Sequence, residues 1–352
     1  MLSITILHED CAMTLRLLRS SARPVLLFVL VSLPAPVAVA QRPTPNAAPV
    51  KESSAARYVV PRTPWGDPDI QGVYTNRDEY GTPFERPQDL AGRKIGDFNE
   101  AEMAALRKQR LDQAARQARS IGGTQDEDTG AGPSHWYEHL NATNAQPWFV
   151  VEPADGLVPP TNAEGQRRAA ARQAARKGRG PSDSWTDRSL TDRCITRGEP
   201  ASMIPGVYGA AYDITQAPGV VVIRTEMIHE ARVILLDGRP ALPAGIRQLM
   251  GDARGRWDGD TLVVTTTGFD GRVAYRGSGD RLTMTERFTP IGPGRLRWEV
   301  RFEDPSTWDR PWAFAMPLGP EATPVFEYAC HEGNYGLANI LSAARATERA
   351  GP

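Results

Sequence analysis

The sequence predicts a mainly β protein whose C-terminal half closes into an antiparallel barrel. Short runs of alternating apolar residues recur from residue 194 onward, with turn residues between them. No helix-length pattern interrupts these runs until the tail near Ile340. Glycine and proline are abundant, at 32 and 30 of 352 residues, which is typical of a loop-rich β protein.

The N-terminus predicts an export signal. Arginines precede an apolar run over residues 24–40, and the run ends in Ala38-Val39-Ala40. A charged region, an apolar region and a small-residue cleavage site together are typical of a signal peptide. We therefore expect residues 1–40 to be a signal peptide, with translation starting at Met13, and the protein to be periplasmic or secreted. The alternative is a membrane anchor, for which the run is short and broken by two prolines.

Three further parts of the chain are predicted after the signal peptide. Residues 41–57 are rich in Pro, Ala and Ser, which indicates a disordered linker. Residues 58–193 are predicted to wrap the barrel, which we assign to residues 194–345. The wrapping segment contains two predicted helices, 99–119 and 162–177. Asn99 can cap the first, with Glu102 three positions later, and Thr161 can cap the second, with Glu164 three positions later.

The spacing of the strands favours a barrel. Strands are predicted over residues 207–215, 219–235, 255–258, 261–267, 281–289, 294–303, 312–316 and 324–331. Consecutive strands with short connections close readily into an up-and-down barrel, with a two-sheet sandwich as the alternative. We expect a calycin- or lipocalin-like barrel with room for one small ligand.

Two titratable residues are predicted to face the barrel interior. Alternate residues of a strand face opposite sides of a sheet. In the run from Val220 to Leu235, the apolar set contains His229, while Glu230 and Arg232 fall in the outward set. The same test places Glu286 on an apolar face. A histidine and a glutamate paired in an apolar cavity suit general acid/base catalysis, and the alternative is a structural hydrogen bond.

The remaining candidate site residues follow from the same barrel. His331 and Glu332 form a second polar cluster, so the predicted catalytic set is His229, Glu286, His331 and Glu332. Large side chains predicted to line the cavity or its mouth are assigned to substrate binding: Met227, Met284, Trp298, Trp308, Trp312 and Tyr328. For the Trp-rich loop the alternative is a hairpin packed over one end of the barrel.

The cysteines and histidines allow two further predictions. Only Cys194 and Cys330 follow the signal peptide, and an oxidising compartment favours a disulfide between them. Free buried thiols or a catalytic thiol are the alternatives. Histidines His135 and His139 are four residues apart, but no zinc-binding spacing is present. We therefore predict no cofactor, with a bound metal as the lesser alternative.

The net charge and the absent motifs narrow the function. The formal net charge is −1, which gives no electrostatic basis for binding nucleic acid or, after signal cleavage, a membrane. The sequence contains no nucleophile elbow, phosphate loop or dinucleotide-binding glycine motif. A small-molecule ligand or substrate is the expected partner, and the oligomeric state stays open.

Several motifs carry a resemblance to other proteins. They are Pro64-Trp65-Gly66-Asp67-Pro68-Asp69, Val151-Glu152-Pro153-Ala154-Asp155-Gly156, Glu226-Met227-Ile228-His229-Glu230-Ala231-Arg232, Gly251-Asp252-Ala253-Arg254-Gly255-Arg256-Trp257 and Glu327-Tyr328-Ala329-Cys330-His331-Glu332-Gly333-Asn334-Tyr335. With these motifs the chain resembles a large group of secreted bacterial proteins whose function is uncharacterised. The resemblance implies export and a shared fold, and it implies no particular activity.

These observations lead to one functional prediction and two alternatives. The prediction is a periplasmic barrel enzyme that acts on a small apolar or aromatic molecule by general acid/base chemistry, as a lyase, isomerase or hydrolase. A barrel that carries a lipophile without catalysis is the first alternative. A secreted structural or interaction protein is the second.

Overall fold

The computed structural model describes residues 58–123, 144–206, 208–273 and 275–351. The predicted signal peptide and linker lie outside the described residues, as do the two histidines of the lesser metal alternative, His135 and His139. Within the described ranges, no helix combines the length and the apolar character needed to cross a membrane.

Both predicted helices are confirmed, although Asn162 and not Thr161 caps the second, and most predicted strands are found. The helices are α1 Glu100–Gly123, α2 Ala163–Ala175 and α3 Gly336–Ala350. The strands are β1 Gly72–Thr75, β2 Val150–Glu152, β3 Ala211–Ala217, β4 Val220–Thr225, β5 Ala231–Leu235, β6 Asp252–Asp258, β7 Thr261–Thr267, β8 Thr283–Gly292, β9 Arg295–Glu303 and β10 Trp312–Pro320. Asn99 and Glu102 form the predicted reciprocal cap of α1 at 3.0 and 2.9 Å.

The strands close into a barrel, as the sequence predicts. In the described part of the chain, nine strands form a ring in the order β1-β3-β4-β5-β6-β7-β8-β9-β10, and β1 pairs with β10 to close it. Strand β2 adds a further pairing on β10. The predicted range of the barrel, residues 194–345, therefore leaves out β1, because the segment expected only to wrap the barrel supplies the closing strand.

The ring is mixed rather than wholly antiparallel. Strands β5 and β6 run parallel, with Leu235 opposite Arg254. The connection between them, residues 236–251, is long enough to return the chain to the end from which β5 started, which a parallel pair requires. Every other neighbouring pair in the ring is antiparallel.

Aromatic side chains fill the barrel interior. Phe302 stacks on Trp312 with ring centroids 4.2 Å apart, and Phe314 meets the Trp298 ring edge-on at 5.3 Å. Four residues predicted to bind substrate, Met284, Trp298, Trp308 and Trp312, are between 0 and 3 % exposed in this core. Their burial of apolar area stabilises the barrel, and these side chains pack against other buried residues of its core.

The last predicted strand, 324–331, is wrong. These residues are irregular, and Phe326 is 62 % exposed. Strand β10 already pairs with β9 on one side and with β1 and β2 on the other. The segment that follows β10 therefore has no free strand edge to join, although its sequence alternates.

Candidate functional site

The predicted long strand around His229 is a hairpin. Strands β4 and β5 are antiparallel partners, with Ile223 opposite Arg232 and Val221 opposite Ile234. The turn between them contains Ile228 and His229 at φ +58° and +42°, a left-handed conformation that is rare outside glycine. Because residues directly opposite each other face the same side of a sheet, Arg232 shares the interior face of Ile223.

The hairpin reverses two predicted side-chain directions. His229 lies exposed at the tip, where its Nδ1 is 3.0 Å from the carbonyl oxygen of Tyr328. The prediction that His229 faces the interior beside Glu286 is therefore wrong, as is the prediction that Arg232 faces outward. Glu286 itself is fully buried, as the alternation of its strand predicts.

The Glu286 carboxylate accepts three hydrogen bonds from buried side chains. Arg232 donates to both carboxylate oxygens, from Nη1 to Oε2 at 2.6 Å and from Nη2 to Oε1 at 3.0 Å. The indole Nε1 of Trp298 donates to Oε1 at 3.0 Å. A two-pronged arginine contact with a further donor is the geometry in which a buried carboxylate is well compensated.

A second buried carboxyl, that of Glu199, shares the same guanidinium. Its Oε2 lies 3.6 Å from Arg232 Nη1 and has no hydrogen-bond partner among the described residues. The residue is 3 % exposed. Burial raises the pKa of Glu199 to about 7, with Arg232 opposing the shift and the carboxyls of Glu286 and Glu230 adding to it. One cation thus serves two carboxyls, and Glu199 is the less compensated of the two.

Glu199 lies in the lining of a surface cleft of about 310 Å³. One wall comes from the irregular segment 189–201 and the other from the turns at 271–276. The lining residues are Ser189, Leu190, Thr191, Thr196, Arg197, Glu199, Ala201, Arg272, Val273, Tyr275 and Arg276. The cleft therefore combines one titratable carboxyl, three guanidinium groups and a few apolar side chains.

Tyr275 links the cleft to the aromatic core. Its ring stacks on Phe302 with centroids 5.3 Å apart and on Trp312 at 6.4 Å. Burial raises the pKa of Tyr275 to about 12, so its hydroxyl stays protonated at neutral pH. The predicted substrate-binding residue Trp312 is thus one layer behind the cleft surface, and Tyr275 presents the aromatic face.

The three arginines of the cleft differ in their partners. Arg272 donates to both oxygens of Asp270 at 3.0 and 2.7 Å. Arg276 donates to Glu85 at 3.1 Å and stacks over the Phe84 ring at 4.1 Å. Within the described residues, no carboxylate forms an ion pair with the guanidinium of Arg197 at 4.0 Å or less.

The predicted disulfide is confirmed. Cys194 and Cys330 are bonded, with their Cα atoms 5.8 Å apart. The bond joins one wall of the cleft to the segment that follows β10, in which Asn334 Nδ2 donates to the carbonyl of Cys330 at 2.8 Å. His331 and Glu332, predicted as a polar cluster near the cavity, are exposed on this segment.

The other predicted site residues lie near the hairpin tip. Tyr328 is half-buried and stacks on Tyr208, with ring centroids 6.4 Å apart. Met227 is buried in the turn before His229. In the described parts of the chain, no group of three or more His, Cys, Asp or Glu residues could hold a metal ion.

Glu199 is a candidate site residue that sequence reasoning missed. It lies in an irregular segment after Cys194, where no alternation or helical period exists to assign a face. The one available signal was chemical: Arg197 and Glu199 stand two residues apart, close to a cysteine predicted to form a disulfide. That signal gives no direction for either side chain.

Comparison with known proteins adds no relatives. No protein-family model matches the chain, and no curated protein matches its sequence. The function of the protein must therefore be inferred from the cleft and its side chains.

Proposed function

We propose that this protein is an exported β-barrel enzyme that acts on a small molecule by general acid/base chemistry, with Glu199 as the acid and base. One observation carries the proposal: Glu199, whose Oε2 has no hydrogen-bond partner among the described residues, is buried in the lining of a cleft, beside the ion pair of Arg232 and Glu286. A titratable group of this kind in a concave site is a candidate catalytic residue.

The cluster explains why Glu199 can exchange a proton near neutral pH. Arg232 and Glu286 compensate each other through two hydrogen bonds, and the second carboxyl adds a charge with no counterion of its own. A general acid/base works best with a pKa near the working pH. Ionised Glu199 accepts a proton on its carboxylate from a substrate C–H or O–H group, and protonated Glu199 returns it. A lyase, isomerase or hydrolase reaction can follow from this pair of steps.

Three further parts of the sequence-based hypothesis concern the location of the protein, the type of barrel and the carrier alternative. An exported or periplasmic location is supported by the disulfide. Kinship with calycin or lipocalin barrels is supported by the closed ring of consecutive strands, and the parallel β5–β6 pair argues against it. A lipophile carrier is less well supported, since aromatic rings occupy the barrel interior.

A proton-transfer screen tests the proposal. Wild-type protein is incubated in D₂O with a panel of small carbonyl compounds and carboxylic acids, and ¹H NMR follows loss of C–H signals, isomerisation, elimination and hydrolysis. We expect turnover of at least one compound and a fall of at least about 100-fold in Glu199→Gln, because the amide keeps the shape of the carboxyl and cannot transfer the proton.

Two variants make the screen specific. Glu303→Gln removes an exposed glutamate at the end of β9 and should retain full turnover. His229→Ala tests the residue that the sequence placed at the site, and it should also leave turnover unchanged. Turnover that survives Glu199→Gln but falls in His229→Ala would overturn the assignment of Glu199.

A further inference from the structure

We infer that the cleft takes a small carboxylate, whose charge is bound by Arg197 and whose apolar part lies against Tyr275. This inference rests on the proposed function, because it names the substrate class of the same site. It adds a binding role for a residue that the acid/base proposal does not use.

The first step is the state of Arg197. Arg272 and Arg276 are already paired with carboxylates, whereas Arg197 has no such partner in the described part of the chain. The Glu230 carboxyl accepts a hydrogen bond from the backbone amide of Arg197 at 3.3 Å, and the Arg197 charge, beyond ion-pair distance, opposes the rise in the pKa of Glu230 that burial causes. A half-buried guanidinium without an ion pair in the wall of a cleft is an anion-binding group.

The second step is the size and polarity of the space. A volume of about 310 Å³ is at the lower end for small-molecule sites. Leu190, Val273 and the Tyr275 ring offer apolar contact in the same lining. A ligand that satisfies both features has one charged end and a compact apolar or aromatic body.

The third step separates a carboxylate from a phosphate. The planar fork of a guanidinium matches the two oxygens of a carboxylate with two parallel hydrogen bonds. A phosphate monoester carries nearly two negative charges at neutral pH. The cleft offers one guanidinium without a direct ion pair, that of Arg197, while Glu199 lines it and the carboxyls of Glu230 and Glu286 lie behind it. A monoanion therefore balances the available charge better than a dianion.

Binding of three probes to the full chain tests the inference. Isothermal titration measures benzoate, benzamide and inorganic phosphate at pH 7. Benzoate should bind, while benzamide, which has the same shape and no charge, should bind at least about tenfold more weakly. Phosphate should also bind at least about tenfold more weakly than benzoate. Equal binding of benzoate and benzamide, or tighter binding of phosphate, would overturn the inference.

Matched arginine variants locate the contact. Arg197→Gln should weaken benzoate binding at least about tenfold, and Arg197→Lys should give an intermediate loss because it keeps the charge without the fork. Arg239→Gln is the control, since Arg239 is an exposed arginine outside the cleft that pairs with Asp237. Circular dichroism and the unfolding midpoint verify that each variant folds. An equal loss in Arg239→Gln, or no loss in Arg197→Gln, would contradict the assignment.

The two proposals fail in different ways. Glu199→Gln should retain benzoate binding or strengthen it, because the variant removes a negative charge from the cleft lining. If benzoate binds through Arg197 and Glu199→Gln has no effect on turnover, the proposed function fails and the anion site stands. If Glu199 is required for turnover and benzoate binding does not depend on Arg197, the carboxylate inference fails alone.

Discussion

Glu199 and Glu286 are the same residue type in one buried cluster, and their surroundings separate them. Glu286 accepts two hydrogen bonds from Arg232 and one from Trp298. The Oε2 atom of Glu199 accepts none from the described residues and is 3.6 Å from the shared guanidinium. Like charges in a site with one counterion make protonation of one carboxyl favourable, and the less compensated carboxyl takes the proton.

This difference predicts a pH dependence of stability. Burial, opposed by Arg232 and reinforced by Glu286 and Glu230, raises the pKa of Glu199 from 4.5 to about 7. The folded state therefore binds more protons than the unfolded state between these values, and the free energy of unfolding falls as pH rises through this window. Relative to Glu199→Gln, the wild type should lose up to about 3 kcal/mol from pH 4.5 to pH 7.

Urea unfolding at several pH values measures this difference. Burial also raises the pKa of Glu79, to about 6, but Glu79 is present in both proteins and its contribution cancels in the difference. Glu286→Gln is a second variant, since removing that charge should lower the pKa of Glu199 and narrow the window. The free energy of unfolding of the wild type minus that of Glu199→Gln should fall as pH rises. A difference that is constant or grows with pH would contradict a raised pKa of Glu199.

The sequence predicts the direction of some side chains and not others for a physical reason. Glu286 was placed correctly because Met284 and Phe288 flank it on one face of a continuous strand. Arg232 was placed on the wrong face because its assignment assumed that Val220 to Leu235 is one strand. Glu199 has no regular neighbours, so no period could give its direction.

At the scale of elements, the hairpin between β4 and β5 decides which motif residue is buried. Left-handed positions in hairpin turns are usually occupied by Gly, Asn or Asp, and none of these residues occurs between Glu226 and Glu230. The left-handed positions fall instead on Ile228 and His229. A β-branched residue in this conformation is an outlier, and such strain persists only where surrounding contacts impose it. Rules based on the usual turn residues therefore could not predict this turn.

A second element-scale feature is the close approach of the two cleft walls. Gly198 has φ +73°, and a Cβ added there would lie 3.3 Å from the Cβ of Val273. Gly198→Ala should destabilise the protein by about 1 kcal/mol through the backbone alone, with an added cost from this contact. Gly178→Ala is the matched control, because Gly178 has φ +76° and no atom within 4 Å of the added Cβ.

Chemical denaturation of these variants separates the two costs. The excess of Gly198→Ala over Gly178→Ala measures the contact between the walls. Adding Val273→Ala to Gly198→Ala should recover only the part of that excess that comes from Val273 Cγ1, at 3.5 Å, because alanine keeps the Cβ at 3.3 Å. Equal losses of stability in Gly198→Ala and Gly178→Ala would show that the added Cβ at residue 198 makes no unfavourable contact with Val273.

At the scale of the whole molecule, the barrel is closed by residues far apart in sequence. Tyr74 of β1 is opposite Tyr212 of β3 and Pro320 of β10. Local periodicity predicted that most strands exist, because it depends on residues within one strand. It could not predict that β1 closes the ring or that β5 and β6 run parallel, because pairing depends on long-range contacts and on the path of residues 236–251.

The disulfide gives the last prediction, since it is a covalent bond across this long-range architecture. Cys194 and Cys330 are 136 residues apart, so the bond restricts a large loop of the unfolded chain and stabilises the fold by up to about 5 kcal/mol. The segment of Cys330 lies outside the ring of strands, which closes through β1 and β10. The double variant Cys194→Ser, Cys330→Ser should therefore lose about 2–5 kcal/mol of stability in urea unfolding while its far-ultraviolet circular dichroism keeps the β signal.

Limited proteolysis of the double variant should cut first within residues 321–335. A reducing agent should lower the midpoint of the wild type and leave the double variant unchanged. Loss of the β signal in the folded double variant, or an unchanged midpoint, would contradict this division between a self-contained barrel and a tethered tail.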